Sequence, residues 1–119
     1  MRYMLLIYSD ESQWSEISEA DQQASMAEWF DYTAELKTAG VSELGDALQP
    51  TATATTVKAN GGEPLVTDGP FAETKEQLGG YYLLDVPDLD EAIKWAHKCP
   101  AARYGTVELR PIQEFPDAS

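Results

Sequence analysis

The sequence has 119 residues and a formal net charge of −13, from eight basic and 21 acidic side chains. This length predicts a single domain over residues 1–119, and a hydrophobic content of 43% excludes a disordered chain. The negative charge, together with basic residues that are scattered along the chain, argues against nucleic acid as a partner.

The apolar segment at the amino terminus is short. Residues 3–8 are followed directly by Ser9, Asp10 and Glu11, so the segment has too few apolar residues for a signal peptide or a membrane span. Cys99 is the single cysteine, and an internal disulfide is therefore excluded, which favours a reducing compartment. We expect a cytoplasmic protein without a membrane partner.

The first predicted elements are a strand and a helix. Residues 2–8 are apolar on both faces, which is typical of a central strand. Ser18 and Asp21 resemble a capping box that opens the helix, and Gly40 is a natural end for it. Helical spacing predicts one apolar stripe that faces the core, formed by Met26, Trp29, Phe30, Thr33 and Leu36.

The middle of the chain predicts a hairpin followed by a longer strand. A threonine-rich strand at residues 51–59 leads through the turn at residues 60–62 into a short strand at residues 64–67. A further strand at residues 78–86 places Tyr81 and Tyr82 on opposite faces.

The remaining elements are a second helix and a last strand. Asp88 and Glu91 open this helix and Pro100 ends it, with an apolar face formed by Leu89, Ala92, Ile93 and Ala96. Residues 105–112 alternate in polarity and predict a strand.

This order of elements predicts an α+β fold of the ferredoxin-like, split βαβ class, with an antiparallel sheet and an extra hairpin. Both helices are expected on one face of the sheet. Because the residues of the first strand are apolar on the other face too, we expect a second copy to cover that face, giving a homodimer with a cleft.

Residues 66–80 form the least ordinary segment. Asp68, Gly69 and Pro70 break the chain sharply, and residues 69–77 are too many for a plain hairpin turn. This loop carries Phe71 and Lys75, together with Glu73 and Glu76. The following glycines, at positions 79 and 80, allow a ligand or another backbone to approach closely.

The string Asp68-Gly69-Pro70-Phe71 resembles the signature of the DGPF-type branch of the YCII-related family. Its continuation matches too, at Glu73, Lys75, Glu76, Leu78, Gly79, Gly80 and Tyr81. Residues 3–8, 50–55, 86–92, 99–102 and 107–112 also fit, so the resemblance covers nearly the whole chain.

The resemblance implies a ferredoxin-like fold, a dimer that forms an α/β-barrel-like assembly, and a cleft with an aspartate. Some relatives in the wider family are lyases that act on chlorinated ring-cleavage intermediates and are proposed to use a His–Asp pair. Asp68 matches the aspartate, but Tyr104 stands where many DGPF-type sequences carry a histidine. The branch is also associated with extracytoplasmic-function sigma factors, which implies a regulatory or accessory role.

We therefore predict that the chain binds a small, carboxylated molecule in a dimer cleft and performs lyase- or isomerase-like chemistry. Asp68 and Lys75 are the candidate acid–base residues, and Phe71, Tyr81 and Arg110 the candidate ligand-binding residues. The alternative is a non-enzymatic ligand-binding or regulatory protein that associates with a sigma factor.

Each candidate also has a structural interpretation. Asp68 can hold the turn through its own backbone, and Lys75 and Arg110 can form ion pairs with Glu73, Glu76 or Glu108. One histidine and one cysteine are too few for a zinc site, so we predict neither a metal nor another cofactor.

Overall fold

The first strand lies in the middle of a four-stranded antiparallel sheet in the computed structural model, which describes residues 1–116. The strands are β1 (Arg2–Ser9), β2 (Leu44–Ala47), β3 (Thr55–Asn60), β4 (Glu63–Asp68), β5 (Gln77–Asp85) and β6 (Thr106–Pro111). The order in the main sheet is β2-β5-β1-β6, and β3 pairs with β4 in a separate two-stranded sheet. Strand β1 thus occupies the centre, as predicted, and β5 lies beside it.

Three α-helices complete the fold: α1 (Ser12–Glu16), α2 (Glu19–Thr38) and α3 (Leu89–Lys98). Helix α2 connects β1 to β2, α3 connects β5 to β6, and the β3–β4 hairpin is inserted between β2 and β5. This order and the antiparallel pairing confirm the predicted ferredoxin-like fold with an extra hairpin.

Both long helices pack on the same face of the sheet, as predicted. Alternate residues of β1 are buried there, namely Tyr3, Leu5 and Ile7. They meet Tyr32 and Leu36 of α2 and Ala92 of α3, with Leu84 and Val86 completing the centre of the core.

The predicted helix boundaries are confirmed by their caps. The Ser18 hydroxyl accepts a hydrogen bond from the Asp21 amide at 3.1 Å, and the Asp88 carboxylate accepts one from the Glu91 amide at 2.9 Å. Gly40 follows the end of α2 with φ of 69°, a conformation that favours glycine.

The predicted apolar faces of the helices are partly wrong. Met26 and Phe30 are exposed, because only the carboxyl-terminal half of α2 packs on the core, through Tyr32 and Leu36. In α3 the small Ala92 reaches the core, whereas Leu89 and Ile93 are exposed.

Two elements were not predicted, and one strand is shorter than predicted. Strand β2 has only four residues and includes Gly45, and α1 consists of five largely polar residues, so neither shows a periodic apolar pattern. Residues 51–53 form a 3-10 turn, so β3 starts at Thr55.

The two faces of the sheet follow from the strand register. Leu5 lies opposite Tyr82 and Leu109 on the face that the helices cover, whereas Leu6 lies opposite Tyr81 and Glu108 on the outer face. Tyr81 and Tyr82 therefore point to opposite faces, as predicted. The side chains of β1 on the outer face (Met4, Leu6 and Tyr8) are only partly buried.

Candidate functional site

A cavity of about 670 Å³ opens between α2 and one end of the main sheet. We call it the aromatic cavity, because five aromatic side chains line it: Trp14, Trp29, Phe30, Tyr82 and Tyr104. Met26, Thr33, Leu48 and Pro50 also contribute, together with Ser9, Glu11 and a group of small residues. The sheet, α1, α2 and the segment before β6 all supply side chains to it.

Small residues create the floor of the cavity. At this end of the sheet, small residues occupy positions that face the helices: Gly45 and Ala47 of β2 and Gly80 of β5. Gly45 pairs with Tyr82, and Ala47 pairs with Gly80. A Cβ atom at position 45 would collide with the ring of Tyr82 and would lie 2.7 Å from the carbonyl oxygen of Tyr81. The glycine therefore lets the Tyr82 ring lie directly over the backbone of β2.

The hydroxyl group of Tyr82 has a defined direction. Thr33 Oγ1 donates its hydrogen to the carbonyl oxygen of Trp29 at 2.9 Å and lies 2.6 Å from the Tyr82 hydroxyl. Because a threonine has one hydroxyl hydrogen, Tyr82 is the donor in the second bond. The oxygen of Tyr82 thus keeps an acceptor position, and burial raises the pKa of this tyrosine.

The hydroxyl group of Tyr104 offers a hydrogen-bond donor, whereas that of Tyr82 offers an acceptor. Trp29 Nε1 donates a hydrogen bond to the Tyr104 hydroxyl oxygen at 3.0 Å, so the hydrogen of the hydroxyl group remains on Tyr104 for another acceptor. Burial raises the pKa of Tyr104, and hydrogen bonds from Trp29 and Ser25 oppose this rise. At neutral pH the cavity therefore offers a hydroxyl donor and a hydroxyl acceptor, both uncharged.

One carboxylate lies at the cavity, and it already has partners. The Glu11 oxygens accept hydrogen bonds from the Thr51 amide at 2.8 Å and the Thr51 hydroxyl at 2.6 Å. Asp46 also lines the cavity, but its side chain lies on the outer face of the sheet, where Oδ2 accepts a hydrogen bond from the Tyr81 hydroxyl at 2.8 Å. None of the residues that line the cavity in the described part of the chain is lysine or arginine.

The sequence-predicted residues Asp68, Phe71 and Lys75 lie outside the lining of this cavity. Asp68 is the last residue of β4, lies opposite Thr55 and is exposed. Phe71 is 83% exposed in the loop that follows. Lys75 is exposed too, and its charge helps to lower the pKa of Asp10, although hydrogen bonds from Ser12 contribute more.

The other two predicted residues lie on the outer face of the sheet. Tyr81 is bound to Asp46, and this hydrogen bond raises its pKa. Arg110 Nε donates to Glu108 at 3.0 Å, which is one of the ion pairs that its structural interpretation predicted. Among the described residues, no hydrogen bond or ion pair joins any two of the five predicted residues, and their functional roles remain predictions.

The aromatic residues of the cavity were missed as a group. Trp29 and Phe30 belong to the helical stripe that is predicted to face the core. For Tyr82 the sequence predicts only a position on the face opposite Tyr81, and Tyr104 stands out only as a departure from the family pattern. The informative signal was the combination of large side chains on α2 with small ones at positions 45, 47 and 80, because such a pairing leaves space between helix and sheet.

The described part of the chain shows neither a metal site nor a membrane-spanning helix. Within residues 1–116, no group of three or more His, Cys, Asp or Glu side chains is arranged to hold a metal ion. Over the same residues, no helix is both long and apolar enough to cross a membrane.

The fold and the cavity together define a small α+β protein of the ferredoxin-like class with an aromatic cavity. The model of the YCII-related domain matches residues 1–116, and the chain therefore belongs to the YCII-related family, which confirms that prediction. An uncharacterized protein of Rhizobium meliloti is 40% identical over 114 residues, which cover 94% of this chain and 92% of that relative.

One solved structure shares the fold at low sequence identity. It is the 5-chloro-2-hydroxyhydroquinone dehydrochlorinase from Burkholderia phenoliruptrix in complex with 2,5-dihydroxybenzoquinone, with a TM-score of 0.55 and 12% identity. The alignment covers 97% of this chain and 96% of the dehydrochlorinase. At this identity the likeness supports the fold alone.

Proposed function

We propose that this protein binds a small, neutral, ring-shaped molecule in the aromatic cavity. The observation that carries the proposal is the convergence of five aromatic side chains on one opening of about 670 Å³. Sites for small molecules span about 300–1,000 Å³ and combine apolar walls with a few polar groups, and this cavity has both properties. Aromatic pairs contribute about 0.5–1.5 kcal/mol beyond the buried area, which favours a planar ligand.

The polar groups of the cavity determine the ligand's preferred chemistry. Tyr104 can donate a hydrogen bond to an oxygen substituent on the ligand's ring, and Tyr82 can accept a hydrogen bond from a hydroxyl substituent on that ring. A ligand carboxylate would meet the Glu11 carboxylate without a basic side chain in the cavity lining. A phenol or hydroquinone therefore fits this surface better than the carboxylated molecule expected from the sequence.

The test compares two ligands of similar size by isothermal calorimetry and by thermal unfolding. Hydroquinone at millimolar concentration should raise the melting temperature, because a ligand of the folded state stabilises it, and 4-hydroxybenzoate should raise it less. Phe30→Ala should weaken the binding of hydroquinone, whereas Phe71→Ala is the matched control outside the cavity. Equal effects of these two substitutions, or no binding of either ligand, would exclude the proposal.

Lyase- or isomerase-like acid–base chemistry on such a ring is the second candidate, with Asp68 and Lys75 as the acid–base residues. It draws support from the structural relative, which is a dehydrochlorinase. Release of chloride from a chlorinated hydroquinone, measured by ion chromatography, tests this candidate. Release that is no faster than in buffer would leave ligand binding as the function.

We also propose that the protein is a homodimer formed through the outer face of the main sheet. Support comes from the apolar side chains there, which lie away from both long helices: Leu44, Met4, Leu6, Tyr81 and Leu83. Light scattering should give the mass of two chains, and Leu6→Glu should reduce it to one.

Association with an extracytoplasmic-function sigma factor is the non-enzymatic alternative that follows from the resemblance to the DGPF-type branch. Co-purification of such a factor with the tagged protein, lost on addition of a cavity ligand, would favour a regulatory role over catalysis.

A further inference from the structure

The β3–β4 hairpin has one apolar and one polar face. Directly paired residues share a face, and Val57 pairs with Val66 while Ala59 pairs with Pro64. The residues of the opposite face are mainly polar: Thr56, Lys58, Asn60, Glu63, Leu65 and Thr67. Such a pattern is typical of a sheet that is covered on one side and meets water on the other.

The apolar face of the hairpin is uncovered within residues 1–116. Val57 is 62% exposed and Val66 is 59% exposed, and every residue of β4 is exposed. A two-stranded hairpin is at most marginally stable in water unless its apolar face packs on another surface. The sequence of the hairpin therefore requires a covering surface that residues 1–116 of the same chain do not supply.

The shape of the molecule gives an independent indication. The radius of gyration is 16.6 Å, against about 13.5 Å expected for a compact chain of this length. The accessible surface is 8514 Å², against about 6,400 Å² for a monomeric protein of this mass. The excess of about 2,000 Å² is within the range that each subunit of an extensive dimer buries.

We propose that the β3–β4 hairpin is an arm that packs its apolar face on a second copy of this chain. This inference rests on the proposed homodimer and specifies a part of its interface. Each chain has two uncovered apolar surfaces, the arm and the outer face of the sheet. When two copies associate about a two-fold axis, both surfaces are buried on each copy.

The proposal changes the environment of Asp68. This residue pairs with Thr55, and its side chain lies on the same face of the hairpin as Val57 and Val66. The surface that covers the valines therefore also contacts Asp68. The aspartate that the sequence singled out then belongs to the contact between subunits, and each copy contributes its Asp68 to its neighbour.

Thiol labelling provides a direct test. Val66→Cys places a thiol on the apolar face, and Thr67→Cys places one on the opposite face of the same strand as a matched control. The natural Cys99 gives little background, because it is 1% exposed and burial raises its pKa to about 11. At concentrations where the protein is dimeric, the thiol at position 66 should react at least about tenfold more slowly than the thiol at position 67.

Dissociation should abolish this difference. Dilution below the dimer dissociation constant, or the additional substitution Leu6→Glu, should bring the two labelling rates together. Equal rates in the dimer would overturn the arm and leave the homodimer intact. Protection of position 66 that persists in the monomer would overturn it as well, since the same chain would then cover the face. A wild-type protein that is monomeric at all concentrations would refute both the homodimer and the arm.

Discussion

The aromatic cavity and the β3–β4 hairpin use their apolar side chains differently. Around the cavity, Trp29 and Tyr82 pack partly against the core of their own chain and hold their neighbours by hydrogen bonds. In the hairpin, Val57 and Val66 face away from that core. The contrast indicates that a single chain builds the ligand cavity, whereas the hairpin needs a second chain, and four predictions test this difference.

Truncation of a core residue should have the largest effect. Leu84→Ala removes a fully buried side chain from the centre of the core and should lower the free energy of unfolding by about 3 kcal/mol. Val57→Ala in the hairpin should cost less than about 0.5 kcal/mol at concentrations where the protein is monomeric. Urea denaturation at low protein concentration measures both. A large loss for Val57→Ala there would show that the same chain already supports the hairpin.

Substitution of a glycine in the cavity floor should have the next largest effect. Gly45→Ala brings a methyl group to 2.7 Å from the Tyr81 carbonyl oxygen and into the Tyr82 ring, and should cost about 2 kcal/mol. Gly79→Ala is the matched control at the same end of the sheet, because its Cβ would have no atom within 4 Å. Thermal unfolding of the two variants should therefore differ clearly, and equal stability would mean that the Tyr82 ring can move away without cost.

High pH should destabilise the folded chain through a tyrosine of the core, Tyr32. Burial raises the pKa of Tyr32, so this tyrosine remains protonated in the folded chain while its unfolded counterpart ionises above pH about 10. Tyr32 contributes its full stabilisation of the folded state below that pH, and this stabilisation is lost as the pH rises towards the pKa that Tyr32 has in the folded chain. The expected slope is at most about 1.4 kcal/mol per pH unit.

Two tyrosine-to-phenylalanine variants separate this effect from a general alkaline effect. Tyr32→Phe should reduce the slope, at the expense of the 2.7 Å hydrogen bond to the Trp95 carbonyl oxygen. Tyr81→Phe, at an exposed hydrogen bond on the outer face, should change the slope less. Urea titrations between pH 8 and about 11 give the slopes, and identical slopes for the two variants would contradict the assignment to Tyr32.

The cavity and the hairpin also differ in what could be predicted from the sequence. The fold was predictable because β1 and β5 are continuously apolar and because Ser18 and Asp88 provide local caps. The cavity was not, because Phe30 has the spacing of a core residue although it is exposed, and because Gly45 and Gly80, which also line the cavity, contribute no side chains there. Helical periodicity gives the direction of a side chain but not the size of the residue it meets.

The hairpin presents the reverse case. Its turn at Gly61 and Gly62 was predictable from local backbone chemistry, and both glycines have positive φ. The sequence also predicted a sharp break of the chain at Asp68, Gly69 and Pro70, and β4 does end at Asp68, with Gly69 at a φ of 100° and its amide donating to the Ala54 carbonyl oxygen at 2.7 Å. What covers the hairpin depends on a second molecule, and local sequence patterns do not encode that directly.

The smallest expected effects distinguish the cavity from Asp68 as the ligand site. Tyr104→Phe removes the hydroxyl donor and should raise the dissociation constant for hydroquinone about fivefold, the effect of one hydrogen bond. Asp68→Asn keeps the turn chemistry and removes the charge, and should change that constant by less than about twofold. Calorimetry on both variants, with the oligomeric state checked in parallel, measures the difference.

The reverse ranking would be equally informative. A tenfold loss for Asp68→Asn with an unchanged dimer would place this carboxylate in contact with the ligand, through the arm of one copy and the cavity of the other. Acid–base chemistry would then become the better function, because the carboxylate that the cavity lining itself offers, that of Glu11, is already bound by Thr51. A charge that acts on the ring would have to come from the second chain, and loss of binding on monomerisation by Leu6→Glu would follow.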